Sequence, residues 1–310
     1  MNDNPTIPRP ILILSAFLAA MAVASCSGAA DVGASSDPPA NDSGSPNGAT
    51  DQPAMPDAGP PPSAPGPSNK LAFVYRGPVV GCDGCSEAIA RVLRSSKWGL
   101  DVHYVGPDEK IKLTADVLKT AGVYAQPGGD GDVGESNTLM KQQLGGSNVV
   151  LDWVKAGGRF YGTCMGGYLA GKPDKSYPRV SDKRWPGFNL LPGTVGEWIE
   201  QSNASVKNDN ETVVELLWKG QPRWVYFQDG PSFVLDPGAN ATVLATYKSN
   251  GIPAVLVTTV GAGKVALSGP HLEAEQDWFD SEHVTDPDDP DGRRHHAHDL
   301  AGELVDTLME

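Results

Sequence analysis

A nucleophile set in a glycine-rich turn between a strand and a helix confines a chain to few folds, and such a turn surrounds Cys164. The segment is Gly162-Thr163-Cys164-Met165-Gly166-Gly167, directly after the apolar run Arg159-Phe160-Tyr161 and before a helix-compatible stretch. Strand, sharp turn and helix make a nucleophile elbow. Small residues let the backbone turn without steric cost. A helix beginning at Met165 directs free N–H groups at the sulfur, favouring thiolate and an oxyanion beside it. Taken alone, a cysteine in such a turn is equally compatible with packing in a core.

Two further segments bear on that choice. Gln126-Pro127-Gly128-Gly129-Asp130 follows the apolar run Val123-Tyr124-Ala125, and its glycine pair allows close backbone approach to a ligand. Gly269-Pro270-His271-Leu272-Glu273 follows the strand-like Lys264-Val265-Ala266-Leu267. His271 and Glu273 are two residues apart, so in an extended segment their side chains emerge on one side. Glu273 can then fix the imidazole tautomer while His271 takes a proton from Cys164.

The rhythm along the chain agrees. Leu71–Tyr75 reads as a buried strand, Ser86–Leu93 as a helix, Leu100–Val105 as a strand and Val149–Val154 as part of a helix ending at Gly157-Gly158. This βαβ alternation predicts a mostly parallel sheet with the site at the carboxyl ends of its strands. In the second half, Thr212–Trp218, Arg223–Gln228, Ala241–Tyr247 and Ala254–Val260 read as strands separated by turns at Asp229-Gly230 and Asn250-Gly251. They predict antiparallel hairpins that extend the sheet or cover the cleft. Asp299 is placed to cap a last helix running to about Leu308.

The Gly-Gly loop, the Gly-x-Cys-x-Gly elbow and His-x-Glu occur in one order, and as a set they resemble the class I glutamine amidotransferase-like superfamily. Within it the chain looks most like the biotin-protein ligase N-terminal domain family. The supporting residues are Tyr75-Arg76-Gly77-Pro78, Tyr168-Leu169-Ala170 after the elbow, and Gly269-Pro270-His271. The resemblance runs from about Leu71 to Trp278. It implies an α/β, flavodoxin-like sheet with helices on both faces. It also implies Cys164 as nucleophile, His271 as base, Glu273 as its orienting partner, and an oxyanion hole from the N–H groups of Gly129 and Met165. Gly128, Tyr168 and Asp229 are the expected substrate-binding residues. Glutamine-hydrolysing members carry Gln where this chain has Tyr168, and no synthetase or ligase domain follows. The expected activity is therefore cysteine-dependent hydrolysis of a small amide or acyl substrate, neither biotinylation nor glutamine amidotransfer. A non-catalytic ligand-binding protein using the same cleft is the alternative. No cofactor or metal is expected.

Cys82-Asp83-Gly84-Cys85 lies between the first strand and first helix. In an exported protein the favoured reading is a disulfide between Cys82 and Cys85; thiol–disulfide exchange is its rival. His295, His296 and His298, near Asp286, Asp288, Asp289 and Asp291, read as a solvated loop, because Pro287 breaks the alternation a calcium loop needs.

Export is expected from the N-terminus. Arg9 precedes an apolar stretch, Ile11–Ala24, too short for a confident span, and Val23-Ala24-Ser25-Cys26 resembles a bacterial lipobox in which Cys26 is lipidated. Residues 27–69, built mostly of Pro, Gly, Ser, Ala, Asp and Asn, lack Leu, Ile and aromatic residues and are expected to serve as a disordered tether. The location implied is the cell envelope, anchored by lipid, with Ser27 resembling the signal for the outer membrane. The tether holds five Asp and no Lys or Arg, and Asp3 offsets Arg9, so the chain's charge of −14 leaves −9 on residues 70–310. An acidic domain repels phosphate backbones, which argues against a nucleic-acid partner; a small-molecule or peptide substrate is expected instead.

Overall fold

Hydrophobic alternation within the central strands decides the architecture. In the computed structural model, which describes residues 70–173 and 187–310, Ala72 and Val74 face one apolar cluster while Phe73 and Tyr75 face another. The next strands repeat this, with Val123 and Ala125 against Tyr124, and Tyr161 against Phe160. A sheet with two apolar faces needs a layer on each.

The first half runs β1 (Leu71–Tyr75), α1 (Cys85–Ser95), β2 (Asp101–Val105), α2 (Ala115–Leu118), β3 (Val123–Gln126), α3 (Val133–Leu144), α4 (Val149–Lys155), β4 (Arg159–Thr163) and α5 (Met165–Ala170). The second half adds β5 (Gly193–Glu197), β6 (Thr212–Trp218), β7 (Gln221–Phe227), β8 (Pro231–Leu235), β9 (Ala241–Tyr247), β10 (Pro253–Val260), β11 (Gly263–Ser268), α6 (Gln276–Ser281) and α7 (His298–Met309). Helices α1 and α7 supply Ile89, Leu93, Leu300 and Leu304 to one face; α2 to α5 supply Leu118, Met140, Val154 and Leu169 to the other.

Among the described residues, nine strands form the main sheet, in the order β2-β1-β3-β4-β11-β10-β9-β6-β7. The first five are mutually parallel and the remainder pair antiparallel. The fold is thus mixed α/β, flavodoxin-like at its parallel end, with C-terminal hairpins lengthening the sheet. Strands β5 and β8 form a separate antiparallel pair.

Two expectations are corrected. Asp299 does not cap α7: Ala297 occupies that position, and Asp299 lies in the first turn, paired with Arg223 at 2.8 Å. The histidine–aspartate segment is a solvated loop only in part, with Asp291 and His295 exposed. His296, Asp286 and Asp289 are buried, His296 Nδ1 lies 3.0 Å from Asp286 Oδ2, and Phe279 stacks on the imidazole. Apolar cover from Phe279, which sequence spacing does not show, is what makes the pair internal. The expected signal segment, Cys26 and the tether lie outside the described residues. Among those described, no helix is long and apolar enough to cross a membrane.

Candidate active site

Four segments leave the carboxyl ends of β1, β3, β4 and β11, which are consecutive in the sheet. They carry Cys82 and Cys85, Gly128 and Gly129, Cys164, and His271. Parallel strands therefore bring together residues up to 189 positions apart in sequence (Cys82 to His271).

Cys164 follows β4 with φ 49° and ψ −110°, a region that residues with a side chain rarely occupy. Such strain costs about 1–3 kcal/mol and persists only where the surroundings over-determine it. The surroundings here are specific. Cys164 N–H donates to the Ser268 carbonyl at 3.0 Å, continuing the β4–β11 pairing, and Gly166 N–H donates to the Pro127 carbonyl at 3.2 Å. Gly166 packs so tightly against the end of β3 that a Cβ there would collide with the Gln126 carbonyl.

His271 is 3% exposed and Glu273 fully buried. His271 Nδ1 lies 2.9 Å from Glu273 Oε1, which fixes the tautomer and leaves Nε2 for chemistry. The backbone completes the fit: His271 N–H donates to the Tyr226 carbonyl at 2.9 Å, and His298 Nε2 lies 3.1 Å from the Glu273 carbonyl oxygen. Burial pushes the His271 pKa down, but the Glu273 charge and the neighbouring Cys164 outweigh it and raise the value to about 10. Cys164 Sγ also sits 3.8 Å from the Gln228 carbonyl oxygen.

A cavity of about 840 Å³ opens over these groups. Cys164, His271, Gly129, Met165, Tyr168 and Asp229 all line it, with the Tyr168 hydroxyl donating to the Asp229 carbonyl at 2.9 Å. Gly128 does not line it. A Cβ on Gly128 would lie 2.6 Å from His271 Cε1 and 3.5 Å from Cys164 Cβ, so the absence of a side chain there leaves room for the His271 ring. Cys82 and Cys85 form a disulfide at the cavity edge. Among the described residues, no group of three or more His, Cys, Asp or Glu is arranged to hold a metal ion.

The sequence reading missed much of the far wall: Tyr226, Trp278, Glu211 and Glu282. Tyr226 and the two residues Gln228 and Asp229 in the turn that follows β7 also line the cavity. The Trp278 ring meets His271 edge-on with centroids 5.4 Å apart. Residues of α6 carry no local signal of this role, because the helix reaches the cavity only through the turn that follows Glu273.

No protein-family model matches the chain, and no curated protein does. Solved structures with a similar course include a glutamine amidotransferase, 20% identical over 66% of this chain and 90% of its own, TM-score 0.46. A glutamine amidotransferase from Thermotoga maritima is 14% identical over 78% of this chain and 97% of its own, TM-score 0.46. A cytoplasmic protein from Salmonella typhimurium is 14% identical over 78% of this chain and 100% of its own, TM-score 0.43.

Proposed function

We propose that the chain is a cysteine-dependent amidase that hydrolyses a small amide or acyl substrate. The observation that carries this is the strained backbone of Cys164, held at positive φ in a cavity lined by His271, whose Nδ1 is paired with the buried Glu273. A packing cysteine has no need of that conformation.

In the proposed reaction the Cys164 sulfur attacks the substrate carbonyl carbon, and His271 holds the thiol proton. The Gly129 and Met165 N–H groups face the developing oxyanion. Collapse breaks the C–N bond, with His271 giving its proton to the departing nitrogen, and leaves a thioester on Cys164. Water then loses a proton to His271 and attacks the thioester carbon. The acid departs, and the proton on His271 is again shared with Cys164. Glu273 keeps Nδ1 protonated throughout, so that Nε2 is the working nitrogen.

The domain is proposed to resemble the N-terminal domain of biotin-protein ligases without sharing a ligase's chemistry, and to sit in the bacterial envelope on a lipid at Cys26. Partition of the full chain into detergent, lost in Cys26→Ser, is expected; a chain that stays aqueous contradicts the anchor. The amidase reading is tested with a panel of amino-acid and acyl anilides. Aniline release that vanishes in Cys164→Ala is expected. Release unaffected by that substitution, or no release across the panel, contradicts it, and ligand binding becomes the better account.

A further inference from the structure

Apart from His271, the charged side chains lining the cavity among the described residues are all acidic. Asp83, Asp130, Asp209, Glu211, Asp229, Asp277 and Glu282 all line it, and no lysine or arginine does among the described residues. Asp229 apart, none of these carboxylates forms an ion pair among the described residues; Glu211 accepts an amide hydrogen bond from Gln228 Nε2 at 2.6 Å. Between them stands Tyr226, only 5% exposed. Its ring packs edge-on against Trp278 at 5.6 Å and against Phe279 at 5.1 Å. Its hydroxyl nevertheless has no hydrogen-bond partner among the described residues, although it lines the cavity. Burial, then the charges of Glu211 and Glu282, raise the pKa of that hydroxyl, so it stays protonated and both carboxylates lie within electrostatic reach of it.

We propose that this cavity selects positively charged substrates, an amide or acyl compound bearing an ammonium or guanidinium group that sits against Glu211, Glu282 and the Tyr226 hydroxyl. This rests on the reading of Cys164 as the reacting centre of the same cavity. A multidentate cationic donor satisfies what the wall offers: acceptor oxygens in excess, the Tyr226 hydroxyl, which has no hydrogen-bond partner among the described residues, and the aromatic faces of Tyr226 and Trp278, which attract cations. Several like charges around a concave, partly apolar site also concentrate cations near it, an effect that weakens with salt. An anionic or carboxylate-rich substrate meets the opposite field.

The test separates charge preference from catalysis by using the sulfur itself as reporter. The full chain is treated at low ionic strength with 2-(trimethylammonium)ethyl methanethiosulfonate or with the 2-sulfonatoethyl analogue. Modification of Cys164 is followed by peptide mass mapping, and each rate is divided by that of a small free thiol. The cationic reagent is expected to react at least tenfold faster after this correction. The preference should shrink several-fold in 1 M salt, and in the double variant Glu211→Gln, Glu282→Gln. Tyr226→Phe, which keeps the ring, reports the hydroxyl separately through the affinity of Cys164→Ala for lysine amide. Anilides of lysine and arginine are compared with those of glutamate and alanine in parallel. Cationic preference in labelling without turnover of any anilide upholds the charge selectivity and overturns the amidase reading. Equal corrected rates for the two reagents, or a preference for the anion, overturn the charge selectivity whatever the anilides show.

Discussion

Replacing Gly128 with alanine tests the catalytic geometry without touching a reactive group. Gly128 does not have a positive φ, so alanine meets no backbone penalty there. The added methyl would lie 2.6 Å from His271 Cε1, where ordinary contact begins at 3.4 Å, so the ring must retreat by about 0.8 Å. It has little room to do so. Its Nδ1 is held by Glu273 at 2.9 Å and its N–H by the Tyr226 carbonyl at 2.9 Å, with the Trp278 ring beyond. Overpacking of this kind costs about 1–3 kcal/mol, and a displacement near 1 Å between reacting groups costs about 100-fold in rate. The expected outcome is a lowered urea midpoint with an unchanged slope. Iodoacetamide labelling of Cys164 and any anilide hydrolysis should fall by at least tenfold. If Gly128→Ala retains both the stability and the Cys164 reactivity of the parent, His271 is not held where this account requires it.

Glu273→Gln should remove a pH dependence of stability. The folded pKa of His271 is raised above its unfolded value of about 6.5, so its contribution is complete below that pH and is lost as pH rises towards about 10. Denaturant midpoints taken across that window should therefore fall more steeply for the parent than for Glu273→Gln, and parallel curves contradict the coupling. The Cys82–Cys85 bridge closes a loop between residues three apart in sequence. On a chain-entropy estimate, Cys82→Ser with Cys85→Ser should cost about 2 kcal/mol in a thermal melt while Cys164 remains reactive. Gly166→Ala drives a methyl into the Gln126 carbonyl between two fixed backbones. Loss of soluble folded protein, or destabilisation of at least about 2 kcal/mol, is expected by circular dichroism, and a parent-like melt contradicts the tight elbow.

What the sequence disclosed was the chemistry tied to strand ends. The elbow at Cys164, the Gly128-Gly129 loop and His271-x-Glu273 each follow a strand signal, and a parallel sheet brings such positions together with no further information. Strands β6 and β9 emerged with their boundaries because β-branched and aromatic runs between flanking turns mark them. Strands β5 and β8 did not: Gly193–Glu197 holds one large apolar residue, Val195, and pairs with Pro231–Leu235 across a long sequence separation. Helix α3 escaped because Gly134, Ser136 and Asn137 occupy its buried face where periodicity looks for larger apolar side chains. The acidic wall was equally hidden. Its carboxylates come from the loop before α1, the loop before α3, the approach to β6, and α6 with the turn after it, so no local run of charge reveals them. His296 looked like a surface residue since nothing in its own segment announces the Phe279 ring that covers it.

The central claim is that His271 activates Cys164. It is tested most directly by the rate at which iodoacetamide modifies Cys164 in the full chain near neutral pH, mapped by mass spectrometry, in the parent and in His271→Ala. Rapid labelling of the parent and at least tenfold slower labelling of the variant is the predicted result. Equal rates in two folded proteins would show a cysteine that owes nothing to its neighbour, and the nucleophilic site proposed here would not exist.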